Sequence, residues 1–331
     1  MTTKKQLLTI LEQQKGQTIS GQDLADCINV SRTSIWKAIS TLRKEGYLIE
    51  ATTNKGYRLS TESDLLSSEA IRPLLIANLR NQPFYVFKAI ESTNQEAKKI
   101  AAEHPAEPAI ILSEEQTKGK GRLGRFFYSP PKTGIYMSLI LKPNLTTTDA
   151  TLVTTAAAVA VCLAIEKITT KKPKIKWVND IYLDDYKISG ILTEAVTNFE
   201  NGTIDTIILG IGLNFRTPIV GFPTELKPIA GSLLSEEHTE ITRNNLIAEI
   251  INQFYQIYQD IGKRDFLNDY KERCFVFGKT INFKQGKQEF NAIPIDIDQQ
   301  GGLVVKMKDG QLRTLSYGEI AIQRPFNQKG E

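Results

Sequence analysis

The chain of 331 residues has an ordinary soluble composition, with 41 Lys and Arg, 37 Asp and Glu, two His and three Cys, and its length predicts two or three domains. Its first residues lead into no apolar signal segment, and the longest apolar run, 156–165, is too short to span a bilayer, so we expect a cytoplasmic protein without membrane contact. The scattered cysteines predict buried free thiols, and neither a metal cage nor a His-based catalytic triad is indicated.

The positive charge of the chain is concentrated in its first 60 residues. They contain nine Lys and Arg against five Asp and Glu, so the whole net charge of +4 lies there, while the rest of the chain is balanced. Such an asymmetry is typical of a domain that binds a polyanion.

The same residues show the pattern of three short helices followed by a hairpin. Ser20 and Ser31 cap the second and third helices, and Asn54-Lys55-Gly56 is a hairpin turn. This order predicts a winged helix-turn-helix, whose third helix enters the major groove and whose wing reaches the flanking backbone. A helical module for protein contacts is the alternative. Trp36 is expected in a core or an interface, with an exposed contact as the alternative. The predicted DNA contacts are Arg32, Thr33, Ser34, Lys37, Lys55 and Arg58.

A turn near residue 92 carries three neutral hydrogen-bonding side chains in succession. Ser92, Thr93 and Asn94 follow a strand predicted over 84–89 and open a helix that runs to about residue 102. Ser92 is expected to cap this helix. Three such side chains at one strand-to-helix turn also offer a place where a polar ligand can bind.

The most informative stretch is the loop Gly119-Lys120-Gly121-Arg122-Leu123-Gly124-Arg125. Its glycines match G-x-G-x-x-G, but the loop neither follows a strand directly nor opens a helix, so the dinucleotide fingerprint fails. The kinase and P-loop motifs are absent too. Glycine allows close backbone approach, and Arg offers a planar fork for phosphate or carboxylate oxygens. The loop therefore predicts an anion site, with a solvated basic turn as the alternative.

A second cation is expected opposite this loop. A strand over 175–177 leads into Val178-Asn179-Asp180, and a hairpin through Asp184-Asp185 returns at Lys187. Gly190 follows closely and permits close backbone approach. A lysine that starts an apolar strand often snorkels instead, and this is the alternative for Lys187.

The remaining segments predict the rest of a central domain and a small β domain. Helices are expected over 68–79, 150–166, 241–261 and 266–274, and Asn201-Gly202 marks a hairpin turn. The segment 216–232, rich in proline and glycine, has the composition of a mobile lid. From residue 280 onwards, short alternating strands predict a β-barrel of SH3-like size.

Together these motifs resemble those of biotin protein ligases, and with the winged helix the match is to the bifunctional type, the biotin operon repressor. The resemblance implies an α+β fold: a winged helix-turn-helix over 1–62, a central mixed α/β ligase domain of the class II synthetase-like type over 63–272, and an SH3-like β-barrel over 273–331. It follows the family's order along nearly the whole chain, and rests on Ser92-Thr93-Asn94, Gln116, the loop 119–125, Lys176-Trp177-Val178-Asn179-Asp180, Lys187 with Gly190, and Gly210-Ile211-Gly212-Leu213-Asn214.

The resemblance implies a reaction in two steps. The carboxylate of biotin attacks the α-phosphorus of ATP and gives biotinyl-5′-adenylate and pyrophosphate. A lysine of a biotin carboxyl carrier protein, from acetyl-CoA or pyruvate carboxylase, then attacks the anhydride. Mg²⁺ would bridge phosphate oxygens without a dedicated protein cage. A homodimer of the adenylate-bound protein would bind a palindromic operator.

Site roles also follow from the resemblance. Phe127 stands where a larger aromatic is expected over the adenine, and Val178 stands where the family carries proline. The implied catalytic residues are Arg122, Arg125, Lys187 and Asp180, the last orienting the incoming lysine. The implied biotin site contains Ser92, Thr93, Asn94, Gln116, Lys120, Gly121, Arg122, Lys187 and Gly190. The implied nucleotide site contains Phe127, Lys176, Trp177, Asn179 and Asn214.

Three other interpretations stay open at this point. A lipoate or octanoate ligase shares the adenylating architecture. A transcription regulator could sense biotin without catalysis. A ligase could also carry a vestigial winged helix that binds no operator.

Overall fold

The computed structural model describes residues 2–53, 55–105, 107–143, 150–197, 204–218, 220–234, 241–286 and 288–322. The predicted hairpin turn at Asn201-Gly202 lies outside these ranges, as do Asn54 of the wing turn and Ile219 of the predicted lid.

The N-terminal domain has the predicted three helices and hairpin. The side chains of Ser20 and Ser31 accept hydrogen bonds from first-turn backbone N–H groups, and left-handed Asn29 and Gly46 end the second and third helices. Apolar side chains on the inner faces form a core of their own. The elements are α1 (Thr3–Gln13), α2 (Gly21–Ile28), α3 (Arg32–Glu45), β1 (Ile49–Thr52) and β2 (Gly56–Leu59).

The single helix predicted over 68–79 is wrong. The α-helix α4 (Ser68–Ile71) has one turn, and two separate 3-10 turns follow at Arg72–Leu74 and Ala77–Leu79. Pro73 explains the break, because proline lacks the backbone N–H and its ring collides with the preceding turn of an α-helix.

The central domain is built on a sheet of seven strands in the order β3-β4-β5-β9-β8-β7-β6. Only β3 and β4 are parallel neighbours; the other pairs are antiparallel. The strands are β3 (Phe84–Phe87), β4 (Ala109–Ser113), β5 (Gly134–Leu141), β6 (Lys174–Lys176), β7 (Asp180–Leu183), β8 (Tyr186–Thr197) and β9 (Ile204–Asn214).

Helices cover the sheet with apolar side chains. A smaller cluster joins α5 (Thr93–Glu103) to the sheet, and the main core joins the sheet to α6 (Ala150–Ile168), α7 (Arg243–Gln259) and α8 (Phe266–Arg273). By length and composition, Thr151–Ile168 could cross a membrane, which the shorter predicted apolar run could not. However, 67% of this window is buried inside the protein, so α6 is a core helix.

The C-terminal strands form a five-stranded antiparallel sheet in the order β13-β12-β11-β10-β14. Within residues 281–286 and 288–322 no pairing joins the two end strands, so the predicted SH3-like barrel is not confirmed. Apolar side chains of this sheet belong to the main core. The strands are β10 (Ile281–Gln285), β11 (Gln288–Ile297), β12 (Leu303–Met307), β13 (Leu312–Leu315) and β14 (Ile320–Ile322).

All three cysteines are free thiols, but they are not all buried. Cys162 and Cys274 lie in the core, whereas Cys27 is exposed and its predicted burial is wrong. The buried side of α2 is formed by Leu24 and Ala25, and Cys27 lies off that stripe.

Candidate functional site

A large cavity opens between the central sheet, the glycine loop, the lid segment and the C-terminal sheet. Its volume is about 860 Å³, within the range of roughly 300–1,000 Å³ that is usual for small-molecule sites. All the residues predicted above for biotin, nucleotide and catalysis line this cavity. The fold therefore brings together segments as distant in the chain as residues 92 and 214.

Glycines form the floor of the cavity where β8 and β9 pair. Gly190 lies opposite Gly212 in the strand register. A Cβ at Gly212 would come within 2.7 Å of the Phe127 ring, and one at Gly210 within 2.2 Å of Asn94 Oδ1. These positions exclude larger residues because the cavity's own side chains pack directly on the backbone.

Gln116 organises the polar turn at the start of α5. Thr93 donates its backbone N–H and its hydroxyl to Gln116 Oε1, at 2.8 and 3.1 Å, and Gln116 Nε2 donates to Ser129 Oγ at 3.0 Å. Ser92 occupies the predicted N-cap position of α5, but the predicted capping hydrogen bond of its side chain is absent. Among the described residues its hydroxyl makes no hydrogen bond, and it is therefore available to a ligand in the cavity.

The glycine loop is a closed hairpin. Phe127 donates its backbone N–H to Gly119 O at 2.9 Å, and Gly121 donates to Arg125 O at 2.7 Å. Leu123 at the tip has a left-handed backbone with φ 55° and a largely exposed side chain. The hairpin holds its cationic side chains at the mouth of the cavity.

Two of the predicted cations reach the same turn. Arg122 Nη1 donates to Asn179 Oδ1 at 3.1 Å. Lys187 Nζ lies 2.6 Å from Asp180 Oδ1, as an ion pair whose alignment is not that of a hydrogen bond. Since Asn179 and Asp180 are adjacent, Arg122 and Lys187 converge on one small region, which holds two positive charges and the one negative charge of Asp180.

The other cations of the cavity have different surroundings. Burial lowers the pKa of Lys176, and the charge of Asp180 opposes this shift. The side chain of Arg125 is 70% exposed and pairs with Glu319 of the C-terminal sheet region at 2.5 Å. Lys120 is exposed at the cavity wall. Arg125 thus links the glycine loop to the C-terminal domain as well as facing the cavity.

The lid segment is fastened to the floor of the site. Lys187 donates its backbone N–H to Ile229 O at 2.8 Å, and Gly231 donates to Lys187 O at 3.0 Å. Asn214 Nδ2 donates to Gly231 O at 2.9 Å. The lid side chain of Phe222 lines the cavity. The backbone of Lys187 and the amide of Asn214 therefore bond residues 229–231 of the predicted lid to β8 and β9. That this segment moves as a lid stays a prediction.

Sequence reasoning missed the contribution of the C-terminal sheet. Glu319 and Tyr317 line the cavity, and the indole N–H of Trp177 donates to Gly301 O at 3.0 Å. Trp177 is buried, so it anchors the C-terminal domain besides lining the site. Gly301, Tyr317 and Glu319 lie in loops between the strands, and the alternation that predicts the strands carries no signal for loop residues.

The outer face of α3 carries the predicted DNA contacts. Arg32, Thr33 and Lys37 are exposed. Ser34 is half-buried, and its hydroxyl lies 2.9 Å from that of the cap residue Ser31, so part of its hydrogen-bonding capacity is used within the helix. Trp36 is 60% exposed on α3. Of the placements expected for it, this exposure excludes the core.

The wing presents further charge to solvent. Lys55 is exposed, and the exposed Arg58 pairs with Glu50 across the hairpin at 2.6 Å. An exposed pair of this kind is weak in water and can be exchanged for a phosphate contact.

Three family models match the chain. Residues 86–214 match the biotin/lipoate A/B protein ligase family, residues 3–58 match an HTH domain, and residues 276–322 match the biotin protein ligase C terminal domain. The three matches follow the order of the N-terminal, central and C-terminal parts of the fold.

Full-length relatives share this arrangement. The chain is 34% identical over 312 residues to the bifunctional ligase/repressor BirA of Bacillus spizizenii, covering 93% of this chain and 95% of the relative. It is 27% identical over 311 residues to the protein of the same name from Escherichia coli strain K12, covering 93% and 94%.

A solved structure shares the fold of the ligase part. Biotin protein ligase from Aquifex aeolicus in complex with biotin and ATP matches with a TM-score of 0.61 and 23% identity, over 73% of this chain and 99% of that chain. The predicted resemblance is thereby confirmed: the chain belongs to the family of the bifunctional ligase/repressor BirA.

Proposed function

We propose that this protein is a biotin protein ligase that also acts as a biotin-responsive transcriptional repressor. The observation that carries the ligase assignment is the shared cavity, in which uncharged hydrogen-bonding groups of the 92–94 turn and Gln116 stand with the converging cations Arg122 and Lys187. The relatives are named for both activities, as bifunctional ligase/repressor proteins.

In the first step, biotin's carboxylate attacks the α-phosphorus of ATP, the bond from the α-phosphorus to the bridging oxygen breaks, and pyrophosphate leaves. Arg122 and Lys187 offset the negative charge of the two approaching anions and of the transition state, with Arg125 and Lys120 at the entrance. The cavity also holds the two reactants in line, which replaces an unfavourable encounter of anions in water.

In the second step, a lysine amine of a biotin carboxyl carrier protein attacks the carbonyl carbon of the adenylate, and AMP leaves. Asp180 faces the cavity and is placed to orient this amine and accept its proton. The nucleotide side is formed by Phe127, Lys176, Trp177, Asn179 and Asn214.

Mg²⁺ fits the site as an ion carried by the nucleotide. The described residues hold no cluster of three or more His, Cys, Asp or Glu that could cage a metal, but Mg²⁺ is commonly held by one carboxylate together with phosphates and water. Asp180 would supply that carboxylate. When bound, the ion would neutralise charge on the phosphate oxygens.

The direct test is incubation of the protein with ATP, Mg²⁺ and a biotin carboxyl carrier domain, with either biotin or lipoate, followed by mass measurement of the carrier. We expect the mass of one biotinyl group to be added with biotin. Addition of only a lipoyl group would identify the protein as a lipoate ligase. An unmodified carrier would indicate a regulator that senses biotin without catalysis.

The winged helix should bind operator DNA through α3 and the wing. Lys37→Ala should weaken binding and reduce the slope of log K against log salt by about one, because one phosphate contact is lost. The probe is a palindromic duplex selected from a random library on the wild-type protein with biotin and ATP, in a salt-titrated fluorescence anisotropy assay.

Lys172→Ala, an exposed lysine of the central domain, is the matched control. If Lys37→Ala and Lys172→Ala gave the same slope of log K against log salt, Lys37 would not contact a phosphate of the operator. A wild-type affinity that does not change with salt would overturn the repressor assignment and leave a ligase with a vestigial winged helix.

We also propose a homodimer of the adenylate-bound protein, a cytoplasmic location, and domains over 1–62, 63–272 and 273–331. Two winged helices related by a two-fold axis would match a palindromic operator. The location follows from the need for ATP and a carrier protein, and from the burial of α6. The three family-model matches support these domain boundaries, since each match falls within a single one of the three domains.

A further inference from the structure

Asn94 is surrounded by protein hydrogen-bonding partners, unlike its neighbour Ser92. Its Nδ2 donates to Glu194 Oε2 at 2.9 Å and to Leu192 O at 3.3 Å, and its Oδ1 accepts from Ser138 Oγ at 2.6 Å. Both donor hydrogens of the amide are therefore occupied. The side chain is buried and packs on Gly210.

This pattern limits what Asn94 can do for a ligand. Both hydrogens of the Asn94 amide already have acceptors, Glu194 Oε2 and Leu192 O. Asn94 therefore cannot donate a hydrogen bond to biotin unless one of these two bonds breaks. Ser92, by contrast, has a hydroxyl without a partner among the described residues. The ligand contacts of this turn thus fall to Ser92 rather than to the Asn94 amide nitrogen.

The Asn94 amide instead ties the turn to the sheet. Asn94 lies in the first turn of α5, next to Thr93, while Glu194 and Leu192 belong to β8, the strand that also carries Gly190 and Lys187. Lys98, one helical turn further along α5, pairs with Glu194 Oε1 at 2.6 Å. One oxygen of the Glu194 carboxylate therefore accepts a hydrogen bond from the buried Asn94 amide, and the other pairs with the largely exposed Lys98.

We propose that Glu194 is a positioning residue for the biotin side of the cavity, acting through Asn94. The Glu194 carboxylate favours the orientation of the Asn94 amide in which the nitrogen faces β8 and the oxygen faces Ser138. This orientation holds the 92–94 turn against the glycine floor of the cavity. The inference rests on the proposed function, because it assigns that turn to biotin. The charge-assisted bond is the one expected to matter, since it is shorter than the bond to the Leu192 carbonyl.

The test uses the full-length protein in steady-state labelling of a carrier domain. Glu194→Ala should raise the KM for biotin about tenfold, because a buried amide donor loses its acceptor, while kcat and the KM for ATP stay near wild type. Glu194→Gln should restore most of the biotin KM, since its amide oxygen can still accept from Asn94. Lys98→Ala is the matched control: it removes the exposed ion pair, keeps the acceptor, and should leave the biotin KM unchanged.

A double-mutant cycle separates positioning from general destabilisation. If Glu194 acts through Asn94, the biotin KM of Asn94→Ala/Glu194→Ala should equal that of Asn94→Ala alone. The inference would be overturned by additive effects of the two substitutions, or by an unchanged biotin KM in Glu194→Ala. It would also be overturned if the KM values for biotin and ATP changed in parallel and Glu194→Gln showed the same loss of Tm as Glu194→Ala. Failure of the wild-type protein to label the carrier with biotin would instead overturn the proposed function.

Discussion

Arg122→Ala should lower the rate of biotin-dependent exchange between ATP and pyrophosphate by about 10²–10³-fold, the usual effect of removing one preorganised group that stabilises developing charge. Arg122 reaches Asn179 beside the Asp180–Lys187 pair, where the two anions are proposed to meet. Loss of its guanidinium leaves Lys187 as the only remaining member of that converging pair. The exchange assay isolates the first step, because it needs no carrier protein.

Two further variants make this expectation specific. Arg122→Lys keeps the charge but loses the planar fork, so its rate should fall between those of Arg122→Ala and the wild type. Arg32→Ala, the same chemical change on the winged helix, should lose operator affinity and keep the exchange rate. Wild-type exchange by Arg122→Ala would show that the convergence at Asn179 plays no part in adenylation.

Arg243→Met should destabilise the protein by about 3–5 kcal/mol, because the half-buried carboxylates of Asp64 and Glu114 would lose their cationic partner. Arg243 is 1% exposed at the start of α7. Its Nε lies 3.0 Å from Asp64 Oδ2 and its Nη1 lies 2.7 Å from Glu114 Oε2. Asp64 lies shortly after the winged helix, which is predicted over 1–62, and Glu114 follows β4, two residues before Gln116. The cluster therefore ties the start of the central domain to α7 and to the strand that leads into the substrate cavity.

Urea denaturation followed by circular dichroism measures this loss. Arg58→Met is the control, since it breaks an exposed Arg–Glu pair and should cost at most about 1 kcal/mol. Replacing the two carboxylates as well, with Asp64→Asn and Glu114→Gln, should recover part of the stability of Arg243→Met, because no unpaired charge then remains buried. If Arg243→Met were as stable as Arg58→Met, the cluster would contribute no more to stability than an exposed ion pair.

Local patterns were sufficient for the elements whose stability is local. The caps at Ser20 and Ser31 and the glycine at 46 predict α2 and α3 correctly, because capping is settled within one helical turn. The same kind of reasoning located Ser92 at the N-cap of α5 but failed for its side chain, which makes no capping hydrogen bond. The first backbone N–H of this helix donates instead to Gln116, 24 residues further along the chain than Ser92. It also missed Pro73, although proline is visible in the sequence.

The amino-acid sequence by itself indicated the family, the order of the domains and many of the residues that line the cavity, but not Tyr317 and Glu319. Spaced motifs and hydrophobic periodicity can be read without a three-dimensional structure. Only the tertiary structure decided how those side chains are used. Asn94 bonds to Glu194, Arg125 pairs with Glu319, and Asn214 holds the lid, each through a partner that is distant in the chain. A side chain's hydrogen-bonding capacity is finite, and which partners occupy it depends on chain segments that meet only after folding.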